Sequence, residues 1–403
     1  MSKTIAILAT MDTKGEECAY LRDEIIRLGS TPMLIDIGVV GDAALPVNVT
    51  SATVADAGGT SLAELRKDPS REVASAVMVR GATDLMLKAI ASGEVHGMVS
   101  LGGTQGTGAC TQVMQALPYG FPKVMLSTMA SGDTSGYVGI KDITMMFPVS
   151  DILGLNPLSR SILSNAAGAV AGMANAARPI EFTPGKPVIG MTNLGALTQG
   201  AMRAMDRLAD NGFETMVFHA VGSGGRAMEQ LMRDGIIQAV FDFALGDITD
   251  ALFGGIRAAD EDRLTVAGEL GLPQVVVPGG TDHIGVLLAE PNKVPPEYEN
   301  RKYAFHNPVI LVPRTSAEEL EKMAEVIAER LNPAKGPTRL MLPLKGLSSY
   351  CVPGGPLEDT EADARFFAGL RDKVTHPIIE IDANAEDAAF VDRAVDELVA
   401  LIG

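Results

Sequence analysis

Two stretches decide the fold: KTIAILAT at residues 3–10 and PVIGMTN at residues 187–193. Both are continuous apolar runs that contain β-branched residues, which is typical of a strand buried on both faces. Each is followed by a short loop and an amphipathic helix, and a glycine ends each helix, Gly29 in the first case and Gly212 in the second. A second apolar stretch then follows in both places. The chain therefore begins the same strand–helix–strand pattern twice.

The similarity between the two halves extends further along the chain. The strand VHGMVSL at 95–101 leads into a glycine-rich segment, and the strand IIQAVFDFAL at 236–245 leads into Gly246-Asp247. A Gly-X-Pro step, at 120–122 and again at 271–273, then precedes another apolar strand. Four landmarks in the same order predict an α/β fold with two Rossmann-like, mostly parallel open sheets related by an internal repeat. We place the two subdomains at residues 1–180 and 181–403.

The regions outside the repeat also carry predictions. After residue 306 three more strand–helix units begin with VILVP, RLMLPL and PIIEID, and we expect them to widen the second sheet. The segment 161–177, at the junction of the halves, is rich in Ala and Gly. A helix with such small side chains lets a neighbour approach closely, so we expect it to pack between the halves or between subunits of a homodimer or larger homo-oligomer.

Composition excludes several classes of protein. The chain has 33 Lys and Arg against 50 Asp and Glu, a net charge of −17, with 4% aromatic residues and no Trp. So acidic a surface repels phosphate backbones and anionic lipids, which argues against nucleic-acid and membrane partners. Three widely spaced cysteines match neither a zinc pattern nor a disulfide framework. The apolar run near the N-terminus is too short for a signal peptide, and 161–177 falls short of a membrane span, so we expect a cytoplasmic protein.

In open parallel sheets, ligands bind where the carboxyl ends of strands meet helix N-termini. In the first half this rule selects the glycine-rich segment 102–108, which contains two threonines. We expect this segment to be a loop that offers N–H groups and hydroxyls to phosphates, followed by a helix that starts at Thr111. It has neither Walker A nor G-x-G-x-x-G spacing, and a tight turn without ligand is the alternative. Neighbouring strand ends add an acidic, a basic and several hydroxyl side chains. The predicted nucleotide-binding residues are Asp12, Thr13, Lys14, Gly102, Gly103, Thr104, Gln105, Gly106, Thr107, Ser127 and Thr128.

Asp12 and Lys14 have specific candidate roles. Asp12 could hold a magnesium ion, a ribose hydroxyl or the N-terminus of the following helix, and Lys14 could reach a phosphate. The alternative is that Asp12 or Thr13 caps the helix while Lys14 lies in solvent.

The second half offers a different set of strand-end residues. Gly222, Gly224 and Ala227 fit G-x-G-x-x-A, but they follow the second strand of their half, which is the wrong place for a dinucleotide fingerprint. We therefore expect His219, Gly222, Ser223 and Gly224 to contact an anionic substrate group. Asp247, Asp282 and His283 are the candidate catalytic residues, because carboxylates and an imidazole at neighbouring strand ends can perform acid–base chemistry. Capped helices and braced turns are the alternative for all of them.

As a set, these motifs resemble a known family. TMDTKG at 10–15, SLGGTQGTG at 100–108, LSTMASGDTS at 126–135, MTNLG at 191–195, HAVGSGG at 219–225, FDF at 241–243, VPGGTDH at 277–283 and MLPLKGLS at 341–348 are similar to the Tm-1-like ATP-binding family, also called UPF0261, over essentially the whole chain. The resemblance implies two Rossmann-like subdomains, ATP binding with a divalent ion, here Mg²⁺, and self-association. It implies no particular reaction.

Three classes of function follow. The first is an ATP- and Mg²⁺-binding protein with a ligand cleft between its subdomains, acting as an enzyme on a small polar metabolite. The second is a nucleotide-dependent regulatory or binding protein without turnover. The third, less favoured, is an NAD(P)-linked oxidoreductase.

Overall fold

The computed structural model describes residues 2–67 and 70–403. The chain divides into two compact units, unit 1 (Met1–Glu181) and unit 2 (Phe182–Gly403). Within the described residues, no helix is both long enough and apolar enough to cross a bilayer.

Unit 1 alternates strands with helices, as the apolar runs predict. Its described elements are β1 (Thr4–Ala9), α1 (Gly15–Arg27), β2 (Thr31–Asp36), α2 (Ser51–Ala57), α3 (Leu62–Lys67), α4 (Arg71–Ala91), β3 (Gly97–Gly102), α5 (Thr104–Ala116), β4 (Lys123–Ser127), α6 (Ser135–Val138), β5 (Thr144–Met146) and α7 (Pro157–Ala176). The five strands form one sheet in the order β2-β1-β3-β4-β5. Every neighbouring pair is parallel, so all five carboxyl ends lie at one edge.

Helices cover both faces of this sheet. Side chains of α1 and α7 pack on one face, and side chains of α2, α4 and α5 pack on the other. The small-residue helix α7 therefore lies on the sheet of its own unit, where Ala166, Ala167 and Val170 are buried against Val99 and Val124. Short side chains are needed there because the helix backbone must come close to the strands.

Unit 2 follows the same plan with additions. Its elements are β6 (Val188–Asn193), α8 (Thr198–Asp210), β7 (Glu214–His219), α9 (Gly222–Arg233), β8 (Ala239–Asp242), α10 (Gly246–Phe253), α11 (Val266–Leu270), β9 (Gln274–Val276), β10 (Val286–Leu287), β11 (Tyr303–Asn307), β12 (Ile310–Pro313), α12 (Ala317–Leu331), β13 (Thr338–Pro343), α13 (Thr360–Lys373), β14 (Ile378–Ile381) and α14 (Ala388–Ile402). Short 3₁₀ turns occupy Gly195–Leu197, Pro296–Tyr298 and Ser349–Cys351.

The main sheet of unit 2 has the order β7-β6-β8-β9-β13-β14, and its strands are all parallel. When the strands of each parallel sheet alone are numbered in chain order, the first five follow the same order, 2-1-3-4-5, in both sheets. Helices α8 and α14 pack on one face, and α12 and α13 pack on the other. The prediction of two mostly parallel α/β sheets is confirmed.

One strand prediction is wrong. The segment VILVP contributes β12, which lies in a separate three-stranded antiparallel sheet of order β10-β12-β11. The parallel sheet instead pairs β9 directly with β13, so only RLMLPL and PIIEID widen it. An apolar strand can pair in either direction, and the sequence of β12 does not distinguish the two.

Candidate functional site

The strand order creates a crevice at the carboxyl edge of unit 1. The chain runs from β1 outward to β2 and then returns across β1 to β3, so α1 and α5 leave the sheet towards opposite faces. Ligands of doubly wound sheets bind in the crevice at such a switch point. The residues of interest are therefore those that follow β1 and β3.

Helix α5 begins earlier than the sequence predicts. It starts at Thr104 with Gly103 as its N-cap, so Thr104, Gln105, Gly106 and Thr107 lie in its first turn rather than in a loop. Glycine has a low helix propensity, and for this reason the segment resembles a loop in sequence. The N–H of Thr107 already donates to the carbonyl of Gly103 at 2.8 Å.

The other N–H groups of this first turn are unused. Within the part of the chain that the structure describes, no acceptor is bonded to the N–H of Thr104, Gln105 or Gly106. The α5 N-terminus therefore presents three aligned donors and the positive end of a 13-residue helix. An anion is the natural acceptor for such a group.

Gly102 and Gly103 are adjacent glycines, but the structure explains the need for glycine only at position 102. A Cβ at Gly102 would come within 2.9 Å of the Gly106 Cα, so packing of the turn against β3 requires glycine there. A Cβ at Gly103 would meet nothing closer than the Thr128 Oγ1 at 3.9 Å. Its backbone has an ordinary φ of −79°. Glycine at 103 thus leaves open space beside the free N–H groups, which the fold itself does not need.

The predicted hydroxyl donors divide into buried and accessible ones. Thr107 and Ser127 are fully buried, and their hydroxyls hydrogen-bond to each other at 2.6 Å. Ser127 also accepts the N–H of Met129 at 2.9 Å. These two residues tie α5 to the end of β4, which is a structural role. Thr104 is exposed, and Thr128, which is partly exposed, lies beside Gly103.

Asp12 lies in the loop between β1 and α1. Its Oδ2 accepts the N–H of Gly41 at 3.0 Å, whereas its Oδ1 is buried and has no hydrogen-bond partner among the described residues. The buried carboxyl of Asp36 lies nearby. Burial raises the pKa of Asp36 above its ordinary value, and the charge of Asp12 adds to the rise, although hydrogen bonds from the N–H groups of Met11 and Gly38 oppose it. An unpartnered carboxylate oxygen beside a second acidic side chain is suited to a cation.

Lys14 and Thr13 do not take the places expected of them. Lys14 is the N-cap of α1 and caps it without a side-chain hydrogen bond, so neither Asp12 nor Thr13 performs that role in the described structure. The Lys14 ammonium donates to the carbonyl of Ile152. It is therefore held by the backbone after β5 and is not free to meet a phosphate. The Thr13 hydroxyl is exposed and bonds to that of Thr10 at 3.0 Å.

In unit 2, the two glycines of the predicted anion-binding turn already donate their N–H groups to the backbone. Gly222 donates its N–H to Arg257 O at 2.9 Å, and Gly224 donates to Val221 O at 2.7 Å. A Cβ on Gly222 would lie 2.1 Å from the Ala258 carbonyl oxygen, and one on Gly224 would lie 2.0 Å from that of His219. Close backbone packing explains both glycines, so the G-x-G-x-x-A spacing here reflects a tight turn. Ser223 and His219 are exposed beside it.

Asp247 belongs to a buried ion-pair cluster that the sequence did not reveal. Arg263, which is 1% exposed, donates to Asp247 at 2.8 Å and to both carboxylate oxygens of Asp242, at 2.5 and 2.7 Å. Burial raises the pKa of Asp247, which the charge of Arg263 opposes. Glu229 faces the same cluster. Burial raises its pKa to about 7 although Arg263 lowers it, and Asp260 and Asp242 add to the rise.

Asp282 and His283 lie in a different network. Asp282 accepts a bond from Ser348 Oγ at 2.6 Å and lies 3.2 Å from His283 Nδ1. Burial disfavours its charge, but the stronger combined effect of His283, Arg314 and Ser348 lowers its pKa to about 2. The other ring nitrogen of His283 faces Arg257 at 3.3 Å, and Arg257 is paired with Asp250 at 2.7 Å.

Of the three predicted catalytic residues, Asp282 and His283 contact each other at 3.2 Å, whereas Asp247 belongs to the Arg263 cluster. Asp247 is paired with Arg263, while Asp282 and His283 are joined to Ser348 and Arg257. All three are no more than 2% exposed, and their polar atoms are occupied by neighbours. These contacts brace the loops that follow β8 and β9, and a catalytic role for the three residues stays a prediction. Arg263 and Ser348 escaped sequence reasoning because their partners are distant along the chain.

The switch point of unit 2 is filled by its own side chains. The equivalent helix, α10, begins at Gly246, where a Cβ would lie 2.7 Å from Leu194 Cδ1 and 2.8 Å from Gly280 O. Arg257 Nη1 is 3.3 Å from the same position. The start of α10 is therefore tightly packed, whereas a Cβ at Gly103, the N-cap of α5, would meet nothing closer than 3.9 Å. No group of three or more His, Cys, Asp or Glu residues in the described ranges is placed to hold a metal by itself.

These features define an α/β protein of two doubly wound units in which one unit keeps an open helix N-terminus at its switch point. The chain belongs to the uncharacterised protein family UPF0261: the N-terminal domain of that family matches residues 3–179, and its C-terminal domain matches residues 186–402. The predicted family resemblance is confirmed.

Relatives of known sequence agree with this assignment. A UPF0261 protein of Clostridium tetani is 41% identical over 402 residues, which is 99% of each chain. One of Mesorhizobium japonicum is 39% identical over 91% of this chain and 90% of the relative. The ToMV susceptible protein tm-1(GCR26) of Solanum lycopersicum is 37% identical over 72% of this chain and 39% of its own length. A solved structure of Acinetobacter baumannii MurG covers 99% of both chains at 12% identity, with a TM-score of 0.22.

Proposed function

We propose that unit 1 binds a nucleoside triphosphate, ATP with Mg²⁺, through the N-terminus of α5. The observation that carries this proposal is the open space at Gly103 beside three unused N–H groups, at the switch point of a doubly wound sheet. The family resemblance found in the sequence favours ATP as the nucleotide.

The phosphates would accept hydrogen bonds from the N–H groups of Thr104, Gln105 and Gly106. The Thr128 hydroxyl lies beside the same opening and adds a donor, and the Thr104 hydroxyl, which donates to Met129 Sδ at 3.3 Å, could turn to the phosphates instead. The helix dipole supplies about half a positive charge at this point. No lysine or arginine contact needs to be assumed, since Lys14 is held by Ile152.

The charge of the protein makes a divalent ion necessary. A triphosphate would approach a chain of net charge −17, next to the carboxylates of Asp12 and Asp36. Mg²⁺ is usually held by one or two carboxylates together with substrate phosphates, so a dedicated cluster of protein ligands is not required. The unpartnered Oδ1 of Asp12 fits that arrangement. When bound, the ion would neutralise phosphate charge, and Asp12 would orient it.

A bulky side chain at position 103 tests the proposal. Gly103→Leu should fold, since the nearest atom to the new Cβ is 3.9 Å away, but the side chain would cover the free N–H groups. Hydrogen bonds to charged groups contribute about 1.5–3 kcal/mol each, so we expect ATP affinity to fall by about tenfold to a hundredfold or more in calorimetric titration with Mg²⁺. Gly108→Ala is the matched control: the same helix gains a Cβ in open space, away from its N-terminus.

Asp12→Asn tests the role of the metal separately. The wild-type protein should bind ATP much more weakly without Mg²⁺, because Asp12 then repels the phosphates. In the variant, affinities measured with and without Mg²⁺ should become similar. Equal ATP binding by Gly103→Leu and wild type would refute the site, and a preference for NAD over ATP in the same titrations would refute the choice of nucleotide.

A further inference from the structure

A second concave site lies at the opposite edge of the sheet of unit 1. Its cavity, about 230 Å³, is found where the strands begin: Lys3 precedes β1, His96 precedes β3 and Phe121 precedes β4. Arg178 and Ile180, which follow α7, complete the lining. The α5 N-terminus is at the carboxyl edge, so this cavity is separate from the proposed nucleotide site.

The cavity is basic in a protein that is otherwise strongly acidic. Lys3 and Arg178 both line it, and neither side chain forms a hydrogen bond or ion pair with any residue in the described ranges. Several other cations of the same unit form ion pairs: the buried Lys123, for example, contacts Asp142 at 2.9 Å. Asp142 accepts the N–H of the lining residue Gly120 at 3.0 Å, but its charge is balanced by Lys123. The carboxyl end of α7 contributes about half a negative charge nearby, which offsets only part of the two positive charges of Lys3 and Arg178.

His96 adds a hydrogen-bond donor to these cations. Its Nδ1 accepts the backbone N–H of Thr4 at 3.2 Å, so in the neutral ring the proton must be on Nε2. Burial lowers the pKa of His96, and the nearby charge of Lys3 lowers it further. The neutral ring with an Nε2–H donor is therefore the form that prevails at neutral pH.

Apart from Tyr119, the rest of the lining is mostly apolar. The Ile180 side chain packs over Gly120, where a Cβ would lie 3.3 Å from its Cδ1, and Phe121 and Ala174 form further wall. The volume lies below the range of about 300–1,000 Å³ for drug-sized ligands, and the site is open to solvent on the side of Arg178 and Ile180. A short phosphorylated metabolite matches the enclosed part.

We propose that this cavity binds a small phosphate ester, whose phosphate is held by Lys3 and Arg178 and accepts a hydrogen bond from His96 Nε2. Its short carbon chain contacts the wall formed by Ile180 and Phe121. The inference is independent of the proposed nucleotide site, because it shares no residue with it.

Titration calorimetry of the full-length protein with glycerol 3-phosphate tests the proposal, with glycerol and inorganic phosphate as comparison ligands. We expect glycerol 3-phosphate to bind more tightly than phosphate, glycerol not to bind, and affinity to fall with added salt. Lys3→Met and Arg178→Met should each lower affinity about tenfold, since each removes a hydrogen bond between charged groups. The double variant should show no measurable binding.

Two controls separate this site from general charge effects and from the nucleotide site. Lys335→Met makes the same charge change at an exposed lysine of unit 2 and should leave glycerol 3-phosphate binding unchanged. Gly103→Leu should also leave it unchanged. Absence of binding by the wild type, or equal binding by wild type and the Lys3→Met, Arg178→Met double variant, would overturn the proposal.

Discussion

Glu229 gives unit 2 a stability that depends on pH, and the size of the effect follows from its surroundings. The side chain is 2% exposed on α9, and its carboxylate accepts the Leu264 N–H at 3.2 Å. Arg263 is the cation that favours its charged form, but Arg263 is already bonded to Asp242 and Asp247. Burial therefore dominates and raises the pKa of Glu229 from 4.5 to about 7.

The sign of the effect follows from proton binding. Between these two pKa values the folded protein holds a proton on Glu229 that the unfolded chain has lost, so the free energy of unfolding falls as pH rises through this range. A pKa difference of about 2.5 corresponds to about 3 kcal/mol. The stabilisation from protonated Glu229 should be fully present below pH ~4, which is below both pKa values, and fully lost above pH ~7.5, which is above both.

Glu229→Gln should remove this contribution. A glutamine amide oxygen can still accept the Leu264 N–H, but the group no longer ionises. We expect the difference in free energy of unfolding between variant and wild type to shift by about 3 kcal/mol in favour of the variant from pH 4.5 to pH 8, because the wild type alone loses stability. Urea denaturation of the full-length protein, followed by circular dichroism at several pH values, measures the difference.

Other buried carboxyls titrate in both proteins and cancel in that comparison. Glu329→Gln, at an exposed glutamate of α12, is the matched control and should follow the wild type at every pH. Parallel curves for wild type and Glu229→Gln across the whole range would refute the reasoning, since they would mean that Glu229 is already charged in the folded protein at low pH.

Two further predictions concern thiol reactivity and assembly. Burial raises the pKa of the Cys110 thiol to about 12, and it raises the pKa of Cys18 and Cys351 as well. Native protein at pH 7 should therefore react with a thiol reagent far more slowly than unfolded protein. Rapid labelling of the native form would contradict the buried positions of the three thiols. The outer face of α7 exposes Gly168 and Gly172, and we expect close helix packing there to produce a homodimer or larger homo-oligomer. Light scattering should then give at least twice the chain mass of 42.2 kDa. A value near 42.2 kDa would contradict the predicted assembly.

The parallel sheets could be predicted because both halves carry their strand signals in the same order. Buried parallel strands are continuous apolar runs, and the two at residues 3–10 and 187–193 contain almost no polar interruption. Strand direction is a weaker signal. The segment at β12 is as apolar as its neighbours, but it pairs antiparallel with β10 and β11, which depends on residues far along the chain.

The sequence could predict where the candidate site residues lie in the fold, but not their local structure. The structure places Gly103 after β3 and Asp12 after β1, as the strand pattern predicts, because strand ends depend on topology alone. Binding of a ligand there stays a prediction. The start of α5 at Thr104 was missed, since two glycines in its first five residues lower the helix propensity that packing restores. The pairing of Arg263 with Asp242 was also missed, because no local pattern marks an ion pair between residues on different elements.

The shared strand order of the two units means that each sheet has a switch point, but the two switch points cannot be exchanged by a single substitution. At the start of α10, Leu194, the Gly280 carbonyl oxygen and Arg257 all lie within 3.3 Å of a Cβ placed on Gly246. A smaller residue at 194 would therefore leave two of these three groups in place. Moving a ligand from unit 1 to unit 2 would require redesign of three separate segments of the chain.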